Sequence, residues 1–407
     1  MNTPPDHIEV IPSGVTAPLG FRAAGVHCGI RRSRRDLALL VSDVPAVAAG
    51  VFTTNRAAAA PVVIGRAVLR SGKAVRGVVV NSGVANACTG ERGLNDAHAM
   101  TAAVAGQLGV GADEVFVAST GVIGQYLPME KILPGIERIV PHLTRGGGTE
   151  AAQAIMTTDT YSKEYAVQFD LEGTTVRVGG MAKGSGMVAP NMATMLGFIT
   201  TDLAITPELL QRALSSANAL TFNRVSVDGD TSTNDMVLLF ANGAAANPMI
   251  DGEDWRYERF RAALVHIMTV LARRIARDGE GATKLIEIDV QGAADVEEAE
   301  LIARAVAGSS LVKTAIHGAD ANWGRIVAAV GYAGVDVDPA SIAVAFNGVP
   351  ILEKGYNIVI DEELAREALL EEEVTVAITL DRGSSGARFW TCDLTKEYVH
   401  INASYRS

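Results

Sequence analysis

Residues 164–200 carry the pattern that most restricts the fold. Residues 164–181 alternate between apolar and polar side chains around Glu172-Gly173, which is typical of two antiparallel strands joined by a tight turn. A glycine-punctuated segment then runs through Pro190 to Thr194, and a strand pattern resumes over residues 195–200. The sequence therefore predicts sheet strands on both sides of a loop that ends at a threonine.

Helix and strand patterns are mixed along the rest of the chain. Strands are predicted at residues 36–53, 77–80, 115–118, 286–290, 310–316 and in the tail at 388–399. Helices are predicted at residues 96–108, 150–156, 255–277, 295–306, 323–330 and 361–371, and from Thr206-Pro207 onward. The mixture predicts an α/β or α+β fold with layered sheets, and residues 289–295 offer the best domain boundary.

Composition excludes several classes of protein. The net charge of −11 without a basic block argues against nucleic-acid binding, because the run from Arg31 to Arg35 is short enough to be a solvated turn. No apolar stretch approaches the roughly 20 residues of a membrane span, and no signal peptide precedes the first strand. We expect a soluble cytoplasmic protein that binds no membrane.

The sites for metals and common cofactors are missing from the sequence. The seven histidines are scattered, and the three cysteines are far apart, so we predict reduced thiols and no metal or bound cofactor. Cys88 is predicted to be a small buried residue. Motifs of serine hydrolases, zinc proteases and nucleotide-binding loops are absent. Taken alone, residues 181–198 fit an ordinary surface loop between two strands.

Ordered blocks along nearly the whole chain change that interpretation. The central segment 181–198 resembles the self-processing site of the ornithine acetyltransferase family. Seven further blocks also match the family: residues 81–83 with 85–90, 119–124, 157–160, 228–235, 278–284, 312–316 and 322–325. Val84 and Ala321 depart from the residues expected at those positions, and neither is assigned to catalysis.

The resemblance implies that the bond between Ala193 and Thr194 is cut and that Thr194 becomes the nucleophile. It also implies an N-terminal-nucleophile-like sandwich with a smaller C-terminal α/β domain. Residues 1–193 would form an α chain and part of the catalytic core. Residues 194–290 would complete that core at the start of a β chain. Residues 291–407 would form the smaller domain, whose tail reaches the site.

The chemistry explains why cleavage would activate the protein. A threonine hydroxyl is a poor nucleophile near neutral pH and needs an adjacent base. Cutting before Thr194 frees an α-amine with a pKa of roughly 7.7–8.0, which can accept the hydroxyl proton, whereas an amide nitrogen cannot. The break would be made by attack of the Thr194 hydroxyl on the Ala193 carbonyl, followed by hydrolysis of the ester.

The remaining site residues are implied by the resemblance. Thr120 and Gly121, placed just after a predicted strand, correspond to the family's oxyanion-hole pair. The substrate-binding set comprises Thr160, Lys183, Thr194, Glu280, Asn402 and Ser407. A lysine can pair with a substrate carboxylate and a glutamate with an ammonium group. For His317 and Asp320 we expect structural roles instead.

The implied activity is transfer of an acetyl group from N2-acetyl-L-ornithine to L-glutamate in arginine biosynthesis. Whether acetyl-CoA also serves as an acetyl donor stays open at this point. The resemblance further implies a heterotetramer of two α and two β chains. Two alternatives remain: a related self-processing aminopeptidase or amidase, and a metabolite-binding relative without activity.

Overall fold

The computed structural model describes residues 4–189 and 195–404. The chain divides into two compact units. The first comprises residues 1–187, 191–223 and 230–271, and the second comprises 188–190, 224–229 and 272–407. The predicted boundary at residues 289–295 therefore lies inside the second unit.

Nine strands and several helices of the described chain belong to the first unit. The strands are β1 (Glu9–Ile11), β2 (Phe21–Val26), β3 (Leu37–Phe52), β4 (Val75–Val84), β5 (Val115–Val122), β6 (Lys163–Leu171), β7 (Thr174–Lys183), β8 (Leu196–Thr201) and β9 (Met236–Ala241). The helices are α1 (Ala60–Arg70), α2 (Gly90–Leu108), α3 (Met129–Ile139), α4 (Gly148–Ala154) and α5 (Pro207–Leu220). The long helix α6 (Trp255–Arg277) contributes residues 255–271 to this unit.

One long strand joins two groups of strands in this unit. The N-terminal half of β3 pairs with β2 and β4, and β4 pairs in parallel with β5. The C-terminal half pairs with β9, which continues through β8, β7 and β6 to β1. The pairing shifts between Val41 and Ala46, where Asp43, Val44 and Pro45 are exposed. A proline has no N–H to donate to a sheet ladder, so Pro45 is compatible with this interruption of the pairing.

The two groups of strands pack face to face. Phe116 of β5 meets Phe240 of β9 edge-to-face, with ring centroids 5.8 Å apart. Both rings belong to one continuous apolar core that also contains Leu39, Phe198 and Leu238. Helix α6 covers β7, because a side chain at Gly180 would meet Leu271 and Ile267. The layered α/β fold predicted from the sequence is confirmed.

The second unit has a sheet and an apolar core of its own. Its described strands are β10 (Leu285–Ala293), β11 (Ala343–Phe346), β12 (Val349–Glu353), β13 (Asn357–Ile358), β14 (Glu373–Thr379) and β15 (Ser385–Cys392). They lie in the order β13-β12-β11-β14-β10-β15, and β10 and β14 run parallel. The helices are α7 (Val296–Gly308), α8 (Ser310–His317), α9 (Trp323–Gly331), α10 (Glu362–Leu370) and α11 (Lys396–Ala403).

Two local predictions in this unit are wrong. Residues 310–316 form α8 and not a strand, because the Ser309 side chain caps the helix by accepting the N–H of Val312. Its apolar residues Val312, Ala315 and Ile316 are buried at helical spacing, which a seven-residue run does not distinguish from a strand. The tail predicted as β over 388–399 is β15 followed by α11, whose N-cap is Thr395.

Candidate active site

Thr120 and Gly121 lie near the C-terminal end of β5. They belong to the strand itself and do not follow it as predicted. Gly121 pairs with Gly83 on β4, and both glycines have positive φ angles, +129° and +107°. A Cβ atom at Gly121 would lie 2.3 Å from the Gly83 carbonyl carbon. Only glycine fits where these two backbones approach so closely.

Lys183 ends β7 and reaches Thr120. Its ammonium group donates to the Thr120 hydroxyl oxygen over 3.3 Å, and both side chains are buried. A hydroxyl that accepts in this way keeps its own hydrogen for another acceptor. The Thr120 hydroxyl therefore keeps one O–H donor, on the residue that precedes Gly121 in β5. An oxyanion hole combines such a side-chain donor with a backbone N–H.

A buried carboxylate holds the backbone around Lys183. Asp159 Oδ1 accepts the Lys163 ammonium and the N–H of Gly184, both over 2.8 Å, while Oδ2 accepts the N–H of Thr157 over 2.9 Å. Burial by itself would raise the pKa of Asp159, but the charges of Lys163 and Lys183 and these hydrogen bonds hold it well below its usual range. Asp159 is therefore ionised near neutral pH.

Asp159 and Lys163 were not singled out by the sequence interpretation. Asp159 lies in the block at residues 157–160, and Lys163 follows it at the start of β6. The signal that could have found them is a lysine at the first position of an otherwise apolar strand, since a buried ammonium needs a buried partner. Their role depends on a contact with residue 184, which local pattern does not reveal.

The described chain resumes at Met195, immediately after the predicted cleavage site. Ala193 and Thr194 lie outside the described residues, and so does Ser407. Leu196, two positions after Thr194, pairs with Lys183 across the antiparallel β7–β8 ladder. The register of the sheet thus brings the chain just beyond Thr194 alongside Lys183.

Thr160 is exposed and lines a cavity of about 900 Å³ in the first unit. Basic side chains contribute to its wall, namely His27, Arg34, Arg35 and His142, together with the acidic Glu150. Arg35 is held in place by donating to the Gly25 carbonyl and the Gln153 side chain. The cavity can therefore attract an anionic group next to Thr160.

Glu280 and Asn402 are brought together within the second unit. The Asn402 side-chain amide donates to Glu280 Oε2 over 2.8 Å. Gly281 lies against the start of α11, where an added Cβ would be 2.6 Å from the Tyr398 nitrogen, and the Thr395 hydroxyl donates to the Gly281 carbonyl. The C-terminal helix is thereby fixed beside Glu280, so the structure brings together two of the residues predicted to bind substrate.

His317 and Asp320, for which structural roles were expected, contact neighbouring residues of the second unit. His317 Nδ1 lies 2.8 Å from Asp393 Oδ2, and Asp393 also accepts the Thr283 hydroxyl and the backbone N–H groups of Thr283 and Lys284. Asp320 Oδ2 accepts the Asn322 side-chain amide in the turn before α9. These contacts connect loops of the second unit.

Cys88 is exposed, so the prediction that it is buried is wrong. It lies in the loop before α2 with a φ of +58°. Among the described residues, no group of three or more histidine, cysteine, aspartate or glutamate side chains could hold a metal ion. No helix of the described chain is both long and apolar enough to cross a membrane.

The layered sheets define an α/β fold, and the buried Thr120–Lys183 pair beside Gly121 is a candidate site for acyl transfer. The particular family follows from comparison with known proteins. The model of the ArgJ family matches residues 22–407, and this chain belongs to that family. The resemblance inferred from the sequence blocks is confirmed.

The relatives cover the chain almost completely. The arginine biosynthesis bifunctional protein ArgJ of Symbiobacterium thermophilum is 49% identical over 403 residues, 98% of this chain and 100% of that protein. The protein of the same name from Bacillus subtilis is 47% identical over 404 residues, 99% of this chain and 98% of that protein.

A solved structure of the same family matches part of the chain. The crystal structure of arginine biosynthesis bifunctional protein ArgJ from Bacillus halodurans is 48% identical with a TM-score of 0.51. It covers 52% of this chain and 100% of its own chain.

Proposed function

We propose that this protein transfers the acetyl group of N2-acetyl-L-ornithine to L-glutamate, through an acetyl ester on Thr194. The observation that carries the proposal is the match to bifunctional ArgJ proteins over 98% of the chain, with the Ala193-Thr194 pair intact. The site adds chemical support, because Thr120, Gly121 and Lys183 supply the donors that such an ester exchange needs.

Self-cleavage between Ala193 and Thr194 is the first step. It yields chains of 193 and 214 residues, since 407 − 193 = 214. The Bacillus halodurans chain supports this step, because it is completely matched and yet spans only 52% of this protein. A C-terminal fragment of 214 of the 407 residues has that share of the length.

Acetyl transfer then uses the freed amine of Thr194 as its base. The hydroxyl oxygen forms a bond to the acetyl carbon, its proton moves to the amine, and the amide C–N bond of acetylornithine breaks. The departing ornithine nitrogen takes that proton. Glutamate attacks the ester by the reverse sequence. Each of the two attacks forms a tetrahedral oxyanion, which the Thr120 hydroxyl and the Gly121 N–H stabilise. One such donor lowers the activation free energy by about 3 kcal/mol.

Charge complementarity supports the assignment of the substrate-binding residues. Lys183 pairs with a substrate carboxylate, and Glu280 with an ammonium group. Asn402, held by Glu280 at 2.8 Å, can offer its carbonyl to a donor. Thr160 and Ser407 complete the set that the family resemblance assigns. We also propose that the two cleaved chains stay together as an α₂β₂ heterotetramer in the cytoplasm.

Acetyl-CoA is a second acetyl donor in this proposal. Its phosphates are anionic, and the cavity beside Thr160 carries Arg34, Arg35 and two histidines. Replacing Arg34 and Arg35 by serine should raise KM for acetyl-CoA at least about tenfold while KM for acetylornithine stays within twofold. Thiol release from acetyl-CoA, measured with glutamate present, tests this. An enzyme that releases no thiol is specific for acetylornithine.

The principal test combines mass and turnover. Intact mass spectrometry should find two fragments that meet at Ala193-Thr194, and the variant Thr194→Ala should remain one chain without activity. Incubation with acetylornithine should give acetylglutamate only when glutamate is present. Acetate released at the same rate without glutamate would identify a hydrolase instead. An active uncut protein would refute the proposal.

A further inference from the structure

Asp235 lies on the C-terminal side of the nucleophile and was not assigned any role above. It immediately precedes β9 and is 1% exposed. Its carboxylate Oδ1 accepts the N–H of Met195, the residue that follows Thr194, over 3.0 Å. The N–H of Met236 donates to the Met195 carbonyl over 3.2 Å. Both polar groups of the Met195 backbone are thus held by one two-residue segment.

That segment is itself fixed from several directions. The Asp235 carbonyl accepts the N–H of Thr53 over 3.0 Å. The neighbouring Asn234 side chain donates to the carbonyl of Ser119, directly before Thr120, and also to that of Ala85. The loop that carries Asp235 is therefore tied to the same strand end that carries the oxyanion donors.

The second carboxylate oxygen is in an unusual situation. Asp235 Oδ2 is buried and has no hydrogen-bond partner among the described residues. Burial raises the pKa of Asp235 well above its usual range, against the Met195 N–H, the charge of Lys183 and the Ser232 hydroxyl, which favour ionisation. A buried oxygen left in this state is costly, and such a group commonly has a functional reason.

Cleavage creates a cation on the residue that precedes Met195 in the chain. When the Thr194 amine takes the hydroxyl proton it becomes an ammonium ion, one peptide unit from the amide that Asp235 already holds. An ammonium group and a spare carboxylate oxygen are complementary in charge and hydrogen bonding. Lys183 is the other charged side chain that acts on Asp235 in the described structure.

We propose that Asp235 is the positioning residue of the nucleophile: it fixes Met195 and accepts a hydrogen bond from the protonated Thr194 amine. This inference rests on the proposed function. Asp235 itself neither gains nor loses a proton during transfer, since the proton moves from the hydroxyl to the amine and on to the leaving ornithine nitrogen. Although burial raises the pKa of Asp235, the ammonium ion favours the ionised form of this carboxyl, and the negative charge in turn raises the basicity of the amine.

The test is Asp235→Asn, which keeps an acceptor for the Met195 N–H and removes the charge. We expect cleavage to persist, kcat to fall at least about tenfold and KM for acetylornithine to stay within twofold. The acid limb of the pH profile of kcat/KM should move down by about one unit, because an amine without a nearby anion loses its proton at lower pH.

Asp202→Asn is the matched control. Asp202 is also fully buried in the first unit, and it accepts the backbone N–H groups of Leu19 and Arg177. Its variant should leave the acid limb where it is in the wild type. An unshifted limb in Asp235→Asn, whether kcat is normal or reduced, would overturn the inference.

A second variant, Asp235→Glu, tests the inference if Asp235→Asn does not fold or does not undergo cleavage. Asp235→Glu keeps the charge, so its acid limb should stay close to that of the wild type although kcat falls. A limb displaced by about one unit in this variant would refute the role. Thr194→Ala separates this inference from the proposed function: if that variant retains turnover, the function fails; if it is inactive while Asp235→Asn is normal, only the inference fails.

Discussion

Lys183 and Thr120 lie 63 positions apart in the chain, yet the ammonium group of one donates to the hydroxyl of the other over 3.3 Å in the buried part of the first unit. Lys183 ends β7, and Thr120 lies near the end of β5. The contact leaves the Thr120 hydrogen available to an oxyanion. Four predictions follow from the surroundings of this pair and from the rest of the chain.

Removing the Thr120 hydroxyl should slow the chemical step. The variant Thr120→Val keeps the volume but has no O–H to donate, so kcat should fall by about 100- to 1,000-fold with KM changed little. Thr120→Ser, which retains a hydroxyl, should recover most of the rate. Steady-state kinetics with acetylornithine and glutamate measure both. A valine variant within twofold of the wild type would exclude Thr120 from the oxyanion hole.

Gly121 should not tolerate a side chain. In Gly121→Ala the new Cβ would collide with the Gly83 backbone at 2.3 Å, at a φ of +129°. We expect a loss of about 2–5 kcal/mol of unfolding free energy, measured by urea denaturation. Gly124→Ala is the control, because Gly124 also has a positive φ but an added Cβ meets nothing within 4 Å. It should lose only about 1 kcal/mol; equal losses would contradict the clash.

Asp159 should stabilise the protein in a pH-dependent manner. Its folded pKa lies below the unfolded value, so its contribution is complete above about pH 4 and is lost as the pH falls further. Asp159→Asn removes the charge that offsets buried Lys163 and should cost about 3–5 kcal/mol at pH 7. Urea denaturation at several pH values should show that the difference in unfolding free energy between the wild type and this variant decreases only below pH 4.

The control for Asp159 is a surface ion pair. Asp113 contacts Lys73 over 2.5 Å, and both side chains are at least half exposed. Solvent screens such a pair, so Asp113→Asn should leave the denaturation midpoint nearly unchanged. If the two variants were equally destabilised, burial would not be the reason for the effect of Asp159.

The three cysteines should react at different rates. Cys88 is exposed, whereas Cys28 and Cys392 are buried. Burial raises the pKa of Cys28 to about 12 and that of Cys392 to about 11, so both hold little thiolate at pH 8. An aromatic disulfide reagent should therefore modify one thiol rapidly in the native protein and three after denaturation. Loss of the rapid phase in Cys88→Ser would identify it.

Local pattern in the sequence predicted the elements whose signals are complete within a short segment. The hairpin around Glu172-Gly173 and the helix Trp255–Arg277 have the predicted bounds to within a few residues. Their periodicity is long and their turns are marked, so neighbours elsewhere in the chain do not change the outcome. Residues 310–316 lacked such length, and a serine cap together with helical burial made them a helix.

What the sequence by itself determined is the family, the layered α/β class and the residues that the resemblance assigns to the site. Only the tertiary structure decided how those residues are held. Gly121 is required by Gly83 on the neighbouring strand, Lys183 is directed to Thr120, and Asp159 and Asp235 become buried carboxyl groups that accept backbone N–H groups. Each relationship joins segments distant in the chain. Burial and charge pairing act through space, so spacing along the sequence does not encode them directly.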